Sequence, residues 1–434
     1  MLFSNITLLD ENLDVREGMY VRVNDGVISY IGTVPPEEEA DERVYDGCGK
    51  LLMSGFFNAH AHSPMTLLRG YGEDMSLQDW LFTRIFPFEA KLTYESVKRA
   101  TTLAMAESLA NGIVSTSDMY YFCDAMAESV IEAGAKANIS RSLTIQDEPD
   151  ISKTQPVKEM MDLYRGYDGA AGGRIKIEMS LHAEYTNSDD TVRQLADITR
   201  DLGCGMHVHV SETKTEVEEC KMRHDGMTPP AYLASRGLFD TRTNAAHCVW
   251  LEDEDFVILK EKGVSVSANP VSNLKLASGA ANYPKMIGSG INVALGTDSV
   301  ASNNSLDFIQ EMKVFALVPK MYYNDPSVMT LKQVIGAATK NGAAAQGRDD
   351  TGVLKEGKKA DLIVIDLSSP HMHPVHDMCA NLVYSASPQD IVMTMVDGEV
   401  LYENGEFTTI DIEKAIAEAD EATAQILEKL KNDK

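Results

Sequence analysis

One repeated alternation constrains this chain more than anything else. Strand-like apolar runs recur at 55–60, 112–118, 139–145, 174–182, 205–210, 244–248, 264–269 and 291–298, with amphipathic segments of helical length between them. Segments such as TYESVKRATTLAMAESLANG and DDTVRQLADITRDLG place apolar residues three and four apart and end in Gly, as helices do. Strands separated by such helices pair in parallel, because only a crossover brings the chain back in the same direction. Eight of them over roughly 290 residues predict a closed (β/α)8 barrel, a TIM barrel.

The two ends have a different texture. Up to residue 55, and again from 349, short β-branched runs alternate with Gly-containing turns, the tightest at 24–26. We read 1–55 and 349–434 as one small β-sandwich domain built from both ends, with a charged amphipathic helix over about 411–432, and 56–348 as the barrel. With 39 Lys+Arg against 66 Asp+Glu the net charge is −27, which opposes nucleic acid and anionic membrane as partners. No apolar stretch reaches the ~20 residues that cross a bilayer, and the N-terminus has no secretory pattern. Six scattered cysteines without CxxC spacing argue against a disulfide framework. A cytoplasmic protein is expected, with homo-oligomerisation left open.

In such a barrel the chemistry sits at the C-terminal ends of the strands. Strand one ends in NAHAHS, strand four in SLHAEY, strand five in HVHVSET, strand six in AAHC and strand eight in GTDS. Six of the ten histidines, His60, His62, His182, His207, His209 and His247, fall in these endings. His60 and His62 are two apart, so on extended backbone both project to one face and can grip one ion. Of His207 and His209 the second is preferred as ligand, being nearer the strand end, and His207 is read as an inward-facing barrel filler. Asp298 adds a hard anionic ligand. Three imidazoles and a carboxylate suit zinc or ferrous iron and leave room for one water, whose pKa the ion would lower toward ~7. Asp298 can accept its proton, and His247 can orient the hydroxide and stabilise developing negative charge.

The NAHAH, HVSE, AHC and GTDS elements, in this order over eight strands, resemble the metal-dependent amidohydrolase superfamily in its cytosine deaminase-like branch. The likeness extends to the split β domain and the GVLKEGKKADLIVID segment. It implies a single divalent metal held by His60, His62, His209 and Asp298, with no carboxylated lysine, since Lys176 lies too early in its strand. Glu212, three residues after His209, is expected to protonate a ring nitrogen and later help ammonia leave, which selects deamination.

The segment MSLQDWLFTRIFPFEAKLT resembles the corresponding loop of 5-methylthioadenosine/S-adenosylhomocysteine deaminases. That likeness implies a purine nucleoside as substrate, with Trp80 packing against it, Glu89 accepting from both ribose hydroxyls and His182 donating to the purine or sugar. One departure stands out. Where relatives carry arginines for an amino-acid tail, this chain has SLTIQDEPDISKTQ, with Arg141 inside the strand, so an acidic lip and a small 5′ substituent are expected. Ser299, Ser302 and Asn303 are expected to orient Asp298. His371, His373 and His376 read as a loop rather than a second metal site. Guanine, pterin, cytosine or triazine hydrolysis is the alternative for the same metal site.

Overall fold

The structure is a computed structural model that describes residues 1–37, 39–75 and 77–433. All eight anticipated barrel strands form: β1 (Phe56–Ala61), β2 (Ile113–Tyr120), β3 (Lys136–Leu143), β4 (Ile175–Leu181), β5 (Met206–Val210), β6 (Thr243–His247), β7 (Ser265–Ala268) and β8 (Asn292–Leu295). They pair in chain order, each parallel to the next. A parallel bridge from Ala61 to Asp298, with the Asp298 amide donating to the His60 carbonyl at 2.9 Å, joins the last strand's extension to the first.

Strand side chains alternate between two environments. Ile139, Ile177 and Val208 enter the large apolar core beneath the surrounding helices. Their neighbours Asn138, Ser140, Glu178, Ser180 and His207 are just as buried but polar, and face the barrel interior. Bonds cross that interior: Asn58 Nδ2 to Thr297 Oγ1 at 2.8 Å, Asn244 Nδ2 to the Ala59 carbonyl at 2.6 Å, and Ser267 Oγ to Asn244 Oδ1 at 2.7 Å. Each of these buried bonds holds its arrangement firmly, because a lost partner costs its desolvation.

Both chain ends enter one nine-stranded mixed sheet. Leu2–Leu9 pairs antiparallel with Val15–Asn24 and parallel with Lys50–Ser54. Lys50–Ser54 takes Leu362–Asp366 on its other side, antiparallel, with Ser54 opposite Leu362. Phe3, Ile6, Val21, Leu52, Val364 and Met395 share the sheet's own core. The hairpin between Val15–Asn24 and Val27–Gly32 turns through Asp25 and Gly26 at φ 49° and 77°. Both values are left-handed, as a two-residue hairpin turn of this hand requires. The final helix, Ile412–Asn432, buries Ala415, Ala419, Ala422 and Ile426 against the barrel helix Tyr94–Ala110. Among the described residues no helix is long and apolar enough to cross a membrane.

A buried charge cluster ties sheet to barrel. Lys136, at the start of β3 and only 1% exposed, pairs with Asp361 and, at 2.7 Å, with Asp397. Thr351 Oγ1 and the Asp397 amide also donate to Asp361. Replacing Lys136 by Met leaves the buried Asp361 without its ion-pair partner, which costs about 3–5 kcal/mol. Denaturant unfolding is expected to show that loss; a variant as stable as the parent would remove the cluster's structural role.

Candidate active site

Three strand ends swing across the barrel mouth on left-handed backbone: Ser211 (φ 51°) after β5, His247 (φ 73°) closing β6, and Asp298 (φ 59°) beyond β8. Non-glycine residues rarely hold such values, and where they do the surroundings fix them. The result is a cluster of donors. The ligating nitrogens of His60, His62 and His209 lie within 4.8 Å of one another, as do the ligand atoms of His60, His247 and Asp298. Asp298 Oδ1 stands 3.3 Å from His62 Nε2 and 3.5 Å from His60 Nε2, and His62 Nε2 is 3.4 Å from His209 Nε2. Donors in a tetrahedral array at about 2.1 Å from one ion are roughly 3.4 Å apart, so this spacing fits a shared cation.

Hydrogen bonds fix which nitrogen faces inward. His62 Nδ1 donates to the Met119 carbonyl at 2.6 Å and His209 Nδ1 to the His182 carbonyl at 2.7 Å. A carbonyl only accepts, so in each neutral ring Nε2 keeps its lone pair for the centre, and on His62 a cation would displace the proton that Asp298 otherwise favours there. His60 Nε2 is buried with no hydrogen-bond partner. Burial holds His60 and His209 well below the usual imidazole range, so both are neutral. Burial also disfavours charge on His62, yet the hydrogen bond and charge of Asp298 outweigh it and raise His62 to about 9. Asp298 thus draws positive charge into the cluster. Its Oδ2 accepts from Ser272 Oγ at 2.6 Å and from Ser302 Oγ at 3.0 Å.

Glu212 and His247 flank the donors. Glu212 Oε2 is 3.9 Å from His247 Nε2, and Glu212 Oε1 accepts from Ser278 Oγ at 3.2 Å. His247 Nδ1 lies 2.9 Å from Asn273 Oδ1, which turns Nε2 toward the open space. That space is a cavity of about 110 Å³. His62, His209, Glu212, His247 and Asp298 form part of its lining, and Trp80, Glu89, Tyr120 and His182 form part of its wall. Glu89 Oε1 accepts from Tyr120 Oη at 2.7 Å, and burial pushes its carboxyl up to about 6. Burial lowers His182 to about 4, so it is neutral, with Nδ1 3.2 Å from Thr186 Oγ1.

Every residue singled out in the sequence for metal, acid–base or substrate contact therefore lies in this cluster or on this cavity; His60 belongs to the cluster but lies behind the cavity, at 0% exposure. Some readings need correction. Asn303 does not reach Asp298; it donates to the Thr297 carbonyl at 2.8 Å and to Glu311. The acidic stretch after β3 forms no lip, because none of residues 144–155 lines the cavity. Asp150 instead caps the turn at Ile151–Lys153. Arg141 faces a neighbouring cavity, bound to Glu159 at 3.0 Å and stacked 4.8 Å over Tyr121. His371 pairs with Asp390 at 2.7 Å. Sequence reasoning missed Tyr120, Ser272, Asn273 and Ser278. Ser272 and Asn273 sit just past the end of β7, where the barrel rule alone could have flagged them.

Comparison with known proteins agrees with this architecture. Residues 51–401 match the model of the amidohydrolase family. The chain is 42% identical over 414 residues to a 5′-deoxyadenosine deaminase of Methanosarcina mazei, covering 95% of this chain and 94% of that one. It is 39% identical over 429 residues to a 5-methylthioadenosine/S-adenosylhomocysteine deaminase of Caldanaerobacter subterraneus subsp. tengcongensis, covering 98% of each. A crystal structure of an adenosine deaminase from Xanthomonas campestris with bound zinc superposes at TM-score 0.91 with 30% identity, over 98% of both chains. With a family match over most of its length and relatives this similar from end to end, the chain belongs to the amidohydrolase family.

Proposed function

We propose that this protein is a metal-dependent aminohydrolase that converts an adenosine-type nucleoside to its inosine analogue and ammonia. The convergence of four donors, His60, His62, His209 and Asp298, beneath a cavity that also holds Glu212 and Glu89 carries this reading. A divalent ion there, zinc by the chemistry of the donors and by the zinc of the Xanthomonas relative, supplies Lewis acidity that makes a bound water a nucleophile near neutral pH. Asp298, fixed by Ser272 and Ser302 through Oδ2, takes up a proton at Oδ1. Glu212 delivers a proton to the purine ring nitrogen and later to the departing amine. His247, turned by Asn273, orients the attacking oxygen. The Trp80 side packs on the nucleoside, and His182, neutral, donates to it.

Glu89 selects the nucleoside over the bare base. An ionised carboxylate accepts two hydroxyl hydrogen bonds at once. The group is ionised above about pH 6 and protonates below it, so the acceptor is present at neutral pH and lost in acid. KM for ribonucleosides is therefore expected to rise as pH falls through 6, while a 2′,3′-dideoxy analogue shows no such rise. Glu89→Gln should raise the ribonucleoside KM about tenfold or more at pH 7, in line with about 1.5–3 kcal/mol for a hydrogen bond to a charged group, with metal content unchanged. Identical profiles for both substrates would reject the assignment.

Among the described residues no lysine or arginine lines the cavity. A 5′ substituent ending in a carboxylate would meet no countercharge, so deoxy, hydroxyl and methylthio groups are favoured. An ammonia-release screen of 5′-deoxyadenosine, 5-methylthioadenosine, adenosine, S-adenosylhomocysteine and adenine, with metal-replete enzyme and elemental analysis, tests the whole reading. The first three should turn over best. Equal turnover of adenine and adenosine would move the assignment to a free heterocycle, and metal without any turnover would remove it.

A further inference from the structure

We infer that His207 is a positioning residue for the metal centre: it accepts the Nδ1 proton of His60 and so fixes the tautomer in which His60 Nε2 offers its lone pair to the ion. The inference rests on the reading of His60 as a ligand. His62 and His209 have their tautomers set by carbonyl oxygens. His60 has no carbonyl in that place. Its Nδ1 meets His207 Nε2 at 2.9 Å, in a pair with both rings fully buried and nearly perpendicular at 77°. An imidazole nitrogen can donate or accept, so the direction of this bond depends on where His207 keeps its own proton. Were His207 to donate, His60 would carry its proton on Nε2 and the cluster would lose a donor.

The barrel floor decides the direction. His207 Nδ1 is buried without a hydrogen-bond partner. Its register neighbours are Ser180 on β4 and Asn244 on β6. Further into the interior, Ser117 Oγ, Asn138 Oδ1, Glu178 Oε2 and Ser180 Oγ are also buried and unpartnered, on the contiguous strands β2, β3 and β4. Two of these oxygens, one carbonyl and one carboxylate, can only accept. A floor rich in acceptors and lined by small serines draws a proton to its side of the ring through a bridging water. With Nδ1 protonated, the neutral His207 ring has Nε2 left to accept from His60. His207 is thus more than filler within the barrel.

The test uses zinc as the probe on the full-length enzyme. In His207→Gln the side-chain amide oxygen can occupy the place of Nε2 and still accept, whereas His207→Leu cannot. Loss of such an outer partner weakens metal affinity about 10–100-fold. Competition with a chromophoric chelator should therefore give a zinc Kd raised by that factor for Leu and within about threefold of the parent for Gln. The visible spectrum of the cobalt-substituted protein should shift in Leu alone. If Leu fails to fold by near-ultraviolet circular dichroism, His207→Met replaces it with the same expectation. A folded Leu or Met variant with parental zinc affinity overturns the inference, as does a Gln variant that loses as much as Leu. His60→Ala is measured alongside: retention of zinc there would instead overturn the ligand assignment of His60.

Discussion

Glu212→Gln is expected to lower kcat roughly 10²–10⁴-fold, the span that a positioned general acid–base contributes. Zinc content should stay at the parental level and KM change only a few-fold. Gln has the same shape and its amide oxygen can keep the Ser278 hydroxyl as donor, which Glu212 accepts at 3.2 Å. The amide cannot take a proton and return it. Protonation of the purine ring is what makes its amine-bearing carbon electrophilic, and the same group must later assist the amine to leave, so both steps suffer together. A variant within tenfold of the parent in kcat would mean another residue moves the proton. Loss of zinc would mean that Glu212 supports the ion, and its catalytic role would have to be reargued.

His209→Ala should take activity down at least about 10³-fold, since the ion contributes several kcal/mol of charge stabilisation and a tenfold rate change is 1.36 kcal/mol. Elemental analysis should find the bound metal lost or much reduced. The ring is held from behind by the His182 carbonyl and stands 3.4 Å from His62 Nε2. Its removal therefore opens one corner of the donor set without touching the cavity wall that bears Trp80 and Glu89. Chelation of the parent should give the same loss, reversed by added zinc. Full activity in metal-free parent protein would end the metal-dependent reading.

The barrel and its donors were legible because both are written in local pattern. His60 and His62 share a face by strand periodicity, and the strand-end rule directs attention to His209 and Asp298 without knowledge of loop paths. Glu89 and Trp80 came from family likeness alone, since no periodicity predicts which residues of a long loop return over the barrel mouth. What stayed hidden depends on contacts distant in sequence. Tyr120, at the end of β2, finds Glu89 only after the long segment that follows β1 is placed, and Ser272 finds Asp298 from the neighbouring strand end. The acidic stretch misled because charge in a sequence says nothing about direction: Asp150 spends its carboxylate on its own turn. His207 was seen as inward, correctly, but its bond to His60 is a cross-barrel contact that strand periodicity does not encode.

The pairing of Lys50–Ser54 with Leu362–Asp366 bears on how the molecule is made. As the nascent chain leaves the ribosome, the N-terminal strands and the whole barrel emerge before the partner that fills one side of Lys50–Ser54. Until then that side is a raw edge, open to pairing with another chain. The carboxylates that neutralise Lys136 arrive equally late, at Asp361 and Asp397. Emergence of residues 361–397, not growth of the barrel, is therefore the event that seals this fold, and a ribosome stalled before residue 361 would carry a barrel beside an open, sticky sheet edge.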